Sequence, residues 1–297
     1  MRGLRWIAAV TVLVVGCSTQ EPSSEPLTSL HGYLVFERSG NIWAKPIAGG
    51  AAVALTDVDV NVVVVQSPAV SPDGLRVAFN ESVPGQYDVD IAVLSIGGSL
   101  QPFFPGGRKY EPSWSPDGTH LAFGAPDISI YGGAILSLAS DAQSSTIDMF
   151  IHSSSYEFPR APAWSPDGLS MAFHFFRSGG TGPRHDVVAV RIDDPDGSFM
   201  VVDSNATDPS WAPTGDRLAY TKSGNIWVST IDGEESYQLT FCEESCGHPA
   251  WSPDGEFIAF EQAGDIWLVR PDGSGLVNFT NTPAASESEP AWGPLTD

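Results

Sequence analysis

The chain has 297 residues, and its 14 Lys+Arg against 36 Asp+Glu give a formal net charge of −22. Such a surface repels nucleic acid and anionic lipid headgroups, which excludes both as electrostatically driven partners. The charge suits the solubility of an exported protein, with cation binding or pairing with a basic partner face as the alternatives.

Met1–Cys17 opens with Arg2 and Arg5, continues as an apolar run from Trp6 to Val15, and ends in Val14-Val15-Gly16-Cys17. The run is shorter than the roughly 20 residues that a membrane-spanning helix needs, so it reads as an export signal. A small residue directly before Cys at the end of a short apolar segment resembles a bacterial lipobox, with Val14 where Leu is usual. The resemblance implies that residues 1–16 are a lipoprotein signal peptide and that Cys17 becomes the lipidated first residue of the mature chain. It also implies outer-membrane sorting in a Gram-negative cell, because Ser18 rather than Asp follows the Cys. An ordinary cleaved signal is the alternative. Loss of Arg2 and Arg5 removes two positive charges and takes the net charge from −22 to −24. Residues 17–30 are rich in Ser, Thr, Pro and Glu and lack a hydrophobic period, the composition of a flexible tether.

From residue 31 the chain is built of one repeated unit. Gly32–Phe36, Asn41–Pro46 and Val53–Thr56 read as second, third and fourth strands of a unit that has no first strand. The full unit then appears at Pro68–Phe79, Pro112–Phe123, Pro162–Phe173, Pro209–Tyr220 and Pro249–Phe260, and a sixth begins at Pro290. In the last complete copy it reads Pro-Ala-Trp-Ser-Pro-Asp-Gly-Glu-Phe-Ile-Ala-Phe. Pro presets φ, Asp caps the turn and Gly takes a positive φ, so Ser-Pro-Asp-Gly makes a hairpin turn between two strands. Third strands follow at Gly224–Trp227 and Gly264–Trp267, and fourth strands at Tyr237–Thr240 and Leu276–Thr280.

The Pro-to-Pro spacings are 44, 50, 47, 40 and 41 residues, the period of a four-stranded propeller blade. Because Glu289–Pro294 is a first strand without successors, it complements the incomplete unit at the other end. The expectation is an all-β, six-bladed propeller over residues 31–297, closed by pairing Glu289–Pro294 with Gly32–Phe36. These residues resemble the TolB-type propeller repeat, which carries the same Pro-x-Trp-Ser-Pro-Asp-Gly core, Ile-Ala-Phe strand and Leu-Thr ending. That repeat occurs in periplasmic scaffold proteins and in the propeller domains of certain serine peptidases. The separate α/β domain of TolB has no counterpart before the first unit here.

In such a meander the starts of first strands share one face of the ring with the links between strands two and three and between units. The residues preceding each unit's Pro are Ser67, Glu111, Ala161, Asp208, His248 and Glu289, which should surround the mouth of the central channel. Glu111, Asp208, His248 and Glu289 are therefore the candidate binding residues, for a cation such as calcium or for a basic peptide end. His174, Arg177, Arg184 and His185 flank a Gly-rich link and form a second candidate, a mobile loop that contacts a partner. Cys242 and Cys246 read as a disulfide in an oxidising envelope; a zinc site with His248 and a redox pair are the alternatives.

No Gly-x-Ser-x-Gly elbow, phosphate-cradling loop or dense Cys/His cluster occurs in the sequence. The expected function is that of an envelope-anchored, non-catalytic scaffold. It binds an envelope protein or a cell-wall partner, works as a monomer, and meets the membrane through its lipid only. The alternatives are an enzyme acting on polysaccharide through carboxylates at the channel mouth and a sensor of cations or small ligands. Anchoring depends on the Cys17 thiol, so Cys17→Ser should move the protein from the membrane fraction to the soluble fraction. Continued sedimentation of that variant with membranes would remove the lipobox reading.

Overall fold

The computed structural model describes residues 27, 29–104, 108–129, 132–139, 147–152, 157–179, 182–193 and 200–295. The expected signal peptide, Cys17 and most of the expected tether lie outside the described residues. Every regular element among the described residues is a β-strand.

The Ser-Pro-Asp-Gly turn explains its own sequence. In the copy at 115, Ser115 Oγ donates to Asp117 Oδ1 at 2.6 Å and accepts from the His120 N–H at 2.9 Å. The same carboxylate oxygen accepts from the Thr119 N–H at 3.0 Å. The buried Ser and the exposed Asp thus satisfy the amides that a tight turn leaves over. Gly118 sits at φ 68° and faces the ring of Pro72 in the neighbouring turn, and Gly168 meets Pro116 in the same way. The Leu-Thr ending has an equally local cause. The final strands are as short as Val53–Ala54 and Val277–Asn278. A buried Thr hydroxyl then replaces the missing ladder: Thr56, Thr240 and Thr280 Oγ1 accept from the N–H of Ile42, Ile226 and Ile266, each at 2.9 Å.

Six four-stranded antiparallel sheets result. Five are blades made from consecutive strands. Blade one runs through Val64–Val70, Arg76–Ser82, Val89–Ser95 and Leu100–Phe104, and blade two through Tyr110–Trp114, His120–Ser129, Gly132–Ala139 and Ile147–His152. Blade three holds Glu157–Trp164, Ser170–Gly179, Gly182–Arg191 and Met200–Ser204. Blades four and five start with Ala206–Trp211 and Cys246–Trp251. The sixth sheet is composite, in the order Glu287–Trp292, Tyr33–Arg38, Asn41–Pro46 and Val53–Ala54. The expected count of six therefore needs correcting to five continuous blades plus one sheet assembled from distant parts of the chain. Its register also differs from the expected one: the inner strand is Glu287–Trp292, and it pairs with Leu34–Arg38. A bulge between Val35 and Glu37 absorbs the difference, because Pro290 has no N–H to give to the ladder.

The core lies between sheets rather than within one. Val35 and Ile42 of the composite sheet pack with Val65, Val77 and Phe79 of blade one, and Leu34 and Phe36 pack with Ala259, Ile266 and Leu268 of blade five. Equivalent clusters join blades one to two, two to three, three to four and four to five, so the ring is closed by apolar contact all the way round.

At the join, Glu287 stands directly opposite Arg38 and is fully buried. Arg38 Nε donates to Glu287 Oε1 at 2.7 Å, and its guanidinium covers the Trp43 ring at 4.6 Å. The Gly293 N–H donates to the Tyr33 carbonyl at 2.9 Å, and the Gly32 N–H donates to the Pro294 carbonyl at 2.7 Å. A Cβ on Gly293 would fall 2.0 Å from the Leu30 carbonyl oxygen, so only glycine fits there. Gly293→Ala should consequently cost about 1–3 kcal/mol by overpacking the join. The urea midpoint should fall with the slope unchanged; an unaltered midpoint would show that closure does not limit stability.

Candidate functional site

Six non-glycine residues with positive φ mark the inner strands: Ser67 (54°), Glu111 (54°), Ala161 (46°), Asp208 (53°), His248 (49°) and Glu289 (53°). Each immediately precedes the unit's proline, where the ladder to the second strand shifts register. Proline removes a ladder donor and the left-handed residue before it takes up the extra length, which turns that side chain out of the pleat. The six residues and their prolines line one cavity of about 160 Å³. Glu111, Asp208, His248 and Glu289 thus come together on a single axis.

The amide of each left-handed residue needs an acceptor, and the ring provides two kinds. In three cases it comes from the residue after the aromatic of the preceding sheet's second strand. Asn80 Oδ1 accepts from the Glu111 N–H at 2.9 Å, Thr221 Oγ1 from the His248 N–H at 3.2 Å, and Glu261 Oε2 from the Glu289 N–H at 3.3 Å. Blade two has Gly124 at that position, and a Cβ there would press within 3.1 Å of the Pro159 carbonyl oxygen. With no side chain available, the Glu111 carboxylate reaches across the mouth and accepts from the Ala161 N–H at 2.7 Å. Glu289 does the same across the join, accepting from the Ser67 N–H at 2.5 Å and the Ser67 hydroxyl at 3.2 Å. Two of the three mouth carboxylates therefore tie neighbouring sheets together.

The charge at the mouth is mixed. His248 Nδ1 lies 3.1 Å from Glu261 Oε1, and Nε2 lies 3.9 Å from Asp208 Oδ1. Burial alone would push the imidazole down, but contact with Glu261 and the charges of Asp208, Glu261 and Glu289 outweigh it, and its pKa is pushed up to about 10. His248 is then an imidazolium at neutral pH, set among the acids it neutralises. Burial pushes Glu111 up, with Asp208 adding to the shift and the Ala161 N–H opposing it. Burial pushes Glu289 up as well, against the opposing influence of His248 and Ser67. Glu261 is a member of the site that sequence reading missed. Its signal was the variable position after Ile-Ala-Phe, occupied in turn by Asn80, Gly124, His174, Thr221 and Glu261.

His174 belongs to that same inner row, and the segment expected as a mobile loop is a continued ladder. Ser170–Gly179 and Gly182–Arg191 pair from end to end, with His174 opposite Val187, Phe176 opposite His185 and Arg177 opposite Arg184. His174 Nε2 and His185 Nδ1 are 2.8 Å apart. Burial, with His185 and Arg160 beside it, pushes His174 down to about 4 against the pull of Asp208. Arg184 is exposed at the edge of the ladder. The four residues are thus held by strand pairing instead of hanging from a flexible link. Cys242 and Cys246 are joined as a disulfide, with Cα atoms 6.1 Å apart, and Cys246 is buried among Ile226, Val228 and Phe260. Among the described residues, no group of three or more His, Cys, Asp or Glu is set to hold a metal ion. No helix among them is long and apolar enough to cross a membrane.

The ring proton of His248 gives a direct test. Its folded pKa of about 10 lies above the ordinary histidine value of about 6.5. Its contribution to stability is therefore complete below pH ~6.5 and lost as pH rises through ~10. An NMR titration of the imidazole should show that high midpoint, and Glu261→Gln should lower it. A midpoint near 6.5 in both proteins would mean that the mouth does not neutralise its acids in this way.

No protein-family model and no curated protein matches the sequence. Solved structures do match. TolB from Acinetobacter baumannii is similar at 20% identity with a TM-score of 0.68, over 90% of this chain and 67% of that one. A chain of the nidogen/laminin complex is similar at 9% identity and TM-score 0.67, over 87% and 97% of the two chains. An oligogalacturonate lyase in complex with manganese is similar at 16% identity and TM-score 0.55, over 84% and 73%. At these identities the likeness establishes the fold, a TolB-like β-propeller, and leaves function to the site itself.

Proposed function

We propose that the protein is an envelope-anchored, non-catalytic propeller lipoprotein that binds an envelope protein or cell-wall partner through the mouth face of its ring. The carrying observation is the use made of the mouth carboxylates. Glu111 and Glu289 accept backbone N–H groups of the next sheet, and His248 is engaged with Glu261 and Asp208. These groups shape a rim whose carboxylates are already engaged within the ring, which suits recognition better than proton transfer. The links on the same face carry the molecule's most exposed large apolar side chains among the described residues. Tyr87, between strands two and three of blade one, is 87% exposed, and Phe241, between blades four and five, is 82% exposed. An aromatic side chain left in water beside a structured polar rim is the usual make-up of a protein contact.

A second reading draws support from the similarity to the oligogalacturonate lyase, whose fold carries an activity on a carbohydrate. On that reading the mouth carboxylates would act on polysaccharide, or would sense a cation or small ligand. The scaffold reading is preferred because these carboxylates have partners within the ring.

Photo-crosslinking from positions 87 and 241 in native envelopes separates the two faces. A discrete adduct should form from both positions and be absent from Leu75 and Leu169, which are exposed on the opposite face. The same adduct from all four positions, or none from 87 and 241, would reject the mouth face as the docking surface.

A further inference from the structure

Three Asn-x-Ser/Thr triplets occur in the chain, beginning at Asn80, Asn205 and Asn278. An exported protein carries sugar on such an asparagine where the side-chain amide reaches solvent from a surface segment. Two of the three are taken up by the fold. Asn80 is buried; its Nδ2 donates to the Lys109 carbonyl at 3.0 Å, and its Oδ1 accepts from the Glu111 N–H at 2.9 Å. Asn278 Nδ2 donates to Asp265 Oδ2 at 2.8 Å, and its Oδ1 accepts from the Asn281 N–H at 2.7 Å. A sugar on either nitrogen would break these contacts.

Asn205 is placed differently. It is the whole link between Met200–Ser204 of blade three and Ala206–Trp211 of blade four, on the mouth face. Its backbone takes a left-handed φ of 57°, which asparagine tolerates better than most residues, and the residue is exposed. Among the described residues its side-chain amide has no hydrogen-bond partner. The segment Asp203-Ser204-Asn205-Ala206-Thr207 also has an acid two residues before the asparagine, where Asn80 and Asn278 have Ala78 and Leu276. Bacterial oligosaccharyltransferases read an acid at that position together with the hydroxyl two residues after. Sequence and exposure therefore select the same residue by separate routes.

We propose that Asn205 is an N-glycosylation site whose sugar donor is an oligosaccharide carried on a polyprenyl pyrophosphate. In the transfer, Asn205 Nδ2 bonds to the anomeric carbon of the first sugar, the bond from that carbon to the phosphate oxygen breaks, polyprenyl pyrophosphate leaves, and the amide gives up one proton. The flanking recognition groups are engaged in the closed ring. Asp203 accepts from Lys222 Nζ at 2.7 Å and from the Tyr220 hydroxyl at 2.8 Å, and the Thr207 hydroxyl donates to Asp208 Oδ2 at 2.7 Å. Transfer thus precedes the pairing of these groups, and the finished ring leaves the sugar in water. The inference rests on the export reading of the N-terminus, because such donors serve chains that have crossed the membrane.

The test is mass spectrometry of tryptic peptides from the full-length protein, purified from the cells that naturally produce it. The peptide Ile192–Arg217 should carry the added mass of one oligosaccharide, while the peptides containing Asn80 and Asn278 carry none. Asn205→Asp keeps the size and the tolerance of a left-handed φ, and it should lose the added mass entirely. Thr207→Ser should keep the added mass, and Thr207→Val should lose it. A bare Asn205, sugar on Asn80 or Asn278, or sugar retained by Thr207→Val would each overturn the proposal. The N-terminal peptide of the same digest reads export separately. A bare Asn205 on a chain processed before Cys17 rejects the glycan alone, whereas an unprocessed Met1 rejects the export reading as well.

Discussion

Everything at the channel mouth depends on the join between Glu287–Trp292 and Tyr33–Arg38. A ring of sheets has no core of its own until the last sheet is in place, because each apolar cluster is shared by two neighbours. The composite sheet supplies half of two such clusters, and the buried Arg38–Glu287 pair fixes how its halves meet. Removing one partner from a buried ion pair typically costs about 3–5 kcal/mol, because the other charge is left uncompensated. The same inner strand carries Glu289, which reaches over to hold Ser67 of blade one. Closure of the fold and completion of the site are thus achieved by neighbouring residues of one strand.

A second constraint gives the mouth its character. The residue before each inner proline adopts a left-handed conformation that ordinary side chains avoid, at a typical cost of about 1–3 kcal/mol each. Such positions persist only where the surroundings hold them. Here the hold comes from Asn80, Thr221 and Glu261 in second strands, and from Glu111 and Glu289 where a second-strand side chain does not serve. Acids at the mouth therefore have a structural reason to exist, and the His248 imidazolium has an electrostatic one. Much of the rim's chemistry follows from keeping six bent strands in register.

The sequence was most legible where the physics is local. Ser-Pro-Asp-Gly builds its turn from its own atoms, and the proline spacing measures one blade, so repeat, strand order and rim residues are all legible in the sequence. Register at the join was less legible. Pro290 locates the inner strand, but the bulge that shifts its pairing arises only when Val35 and Glu37 lie against it. His174 and His185 looked like loop residues because glycines surround them, yet strand pairing continues to Gly179 and Gly182. Glu261 was invisible for a different reason. Its meaning comes from contact between neighbouring units, where one unit's side chain supplies the acceptor for the next unit's amide.

The path of the chain into the ring has a geometric consequence. The Leu30 N–H donates to the Gly74 carbonyl, and the carbonyl of Leu27 lies 3.8 Å from where a Cβ on Gly97 would stand. Both glycines belong to turns on the face away from the channel mouth. The chain therefore enters the ring from the face opposite the mouth, so a tether carried at Cys17 would be attached on the side away from the rim. A partner gripping the rim would meet a surface that this point of attachment leaves uncovered.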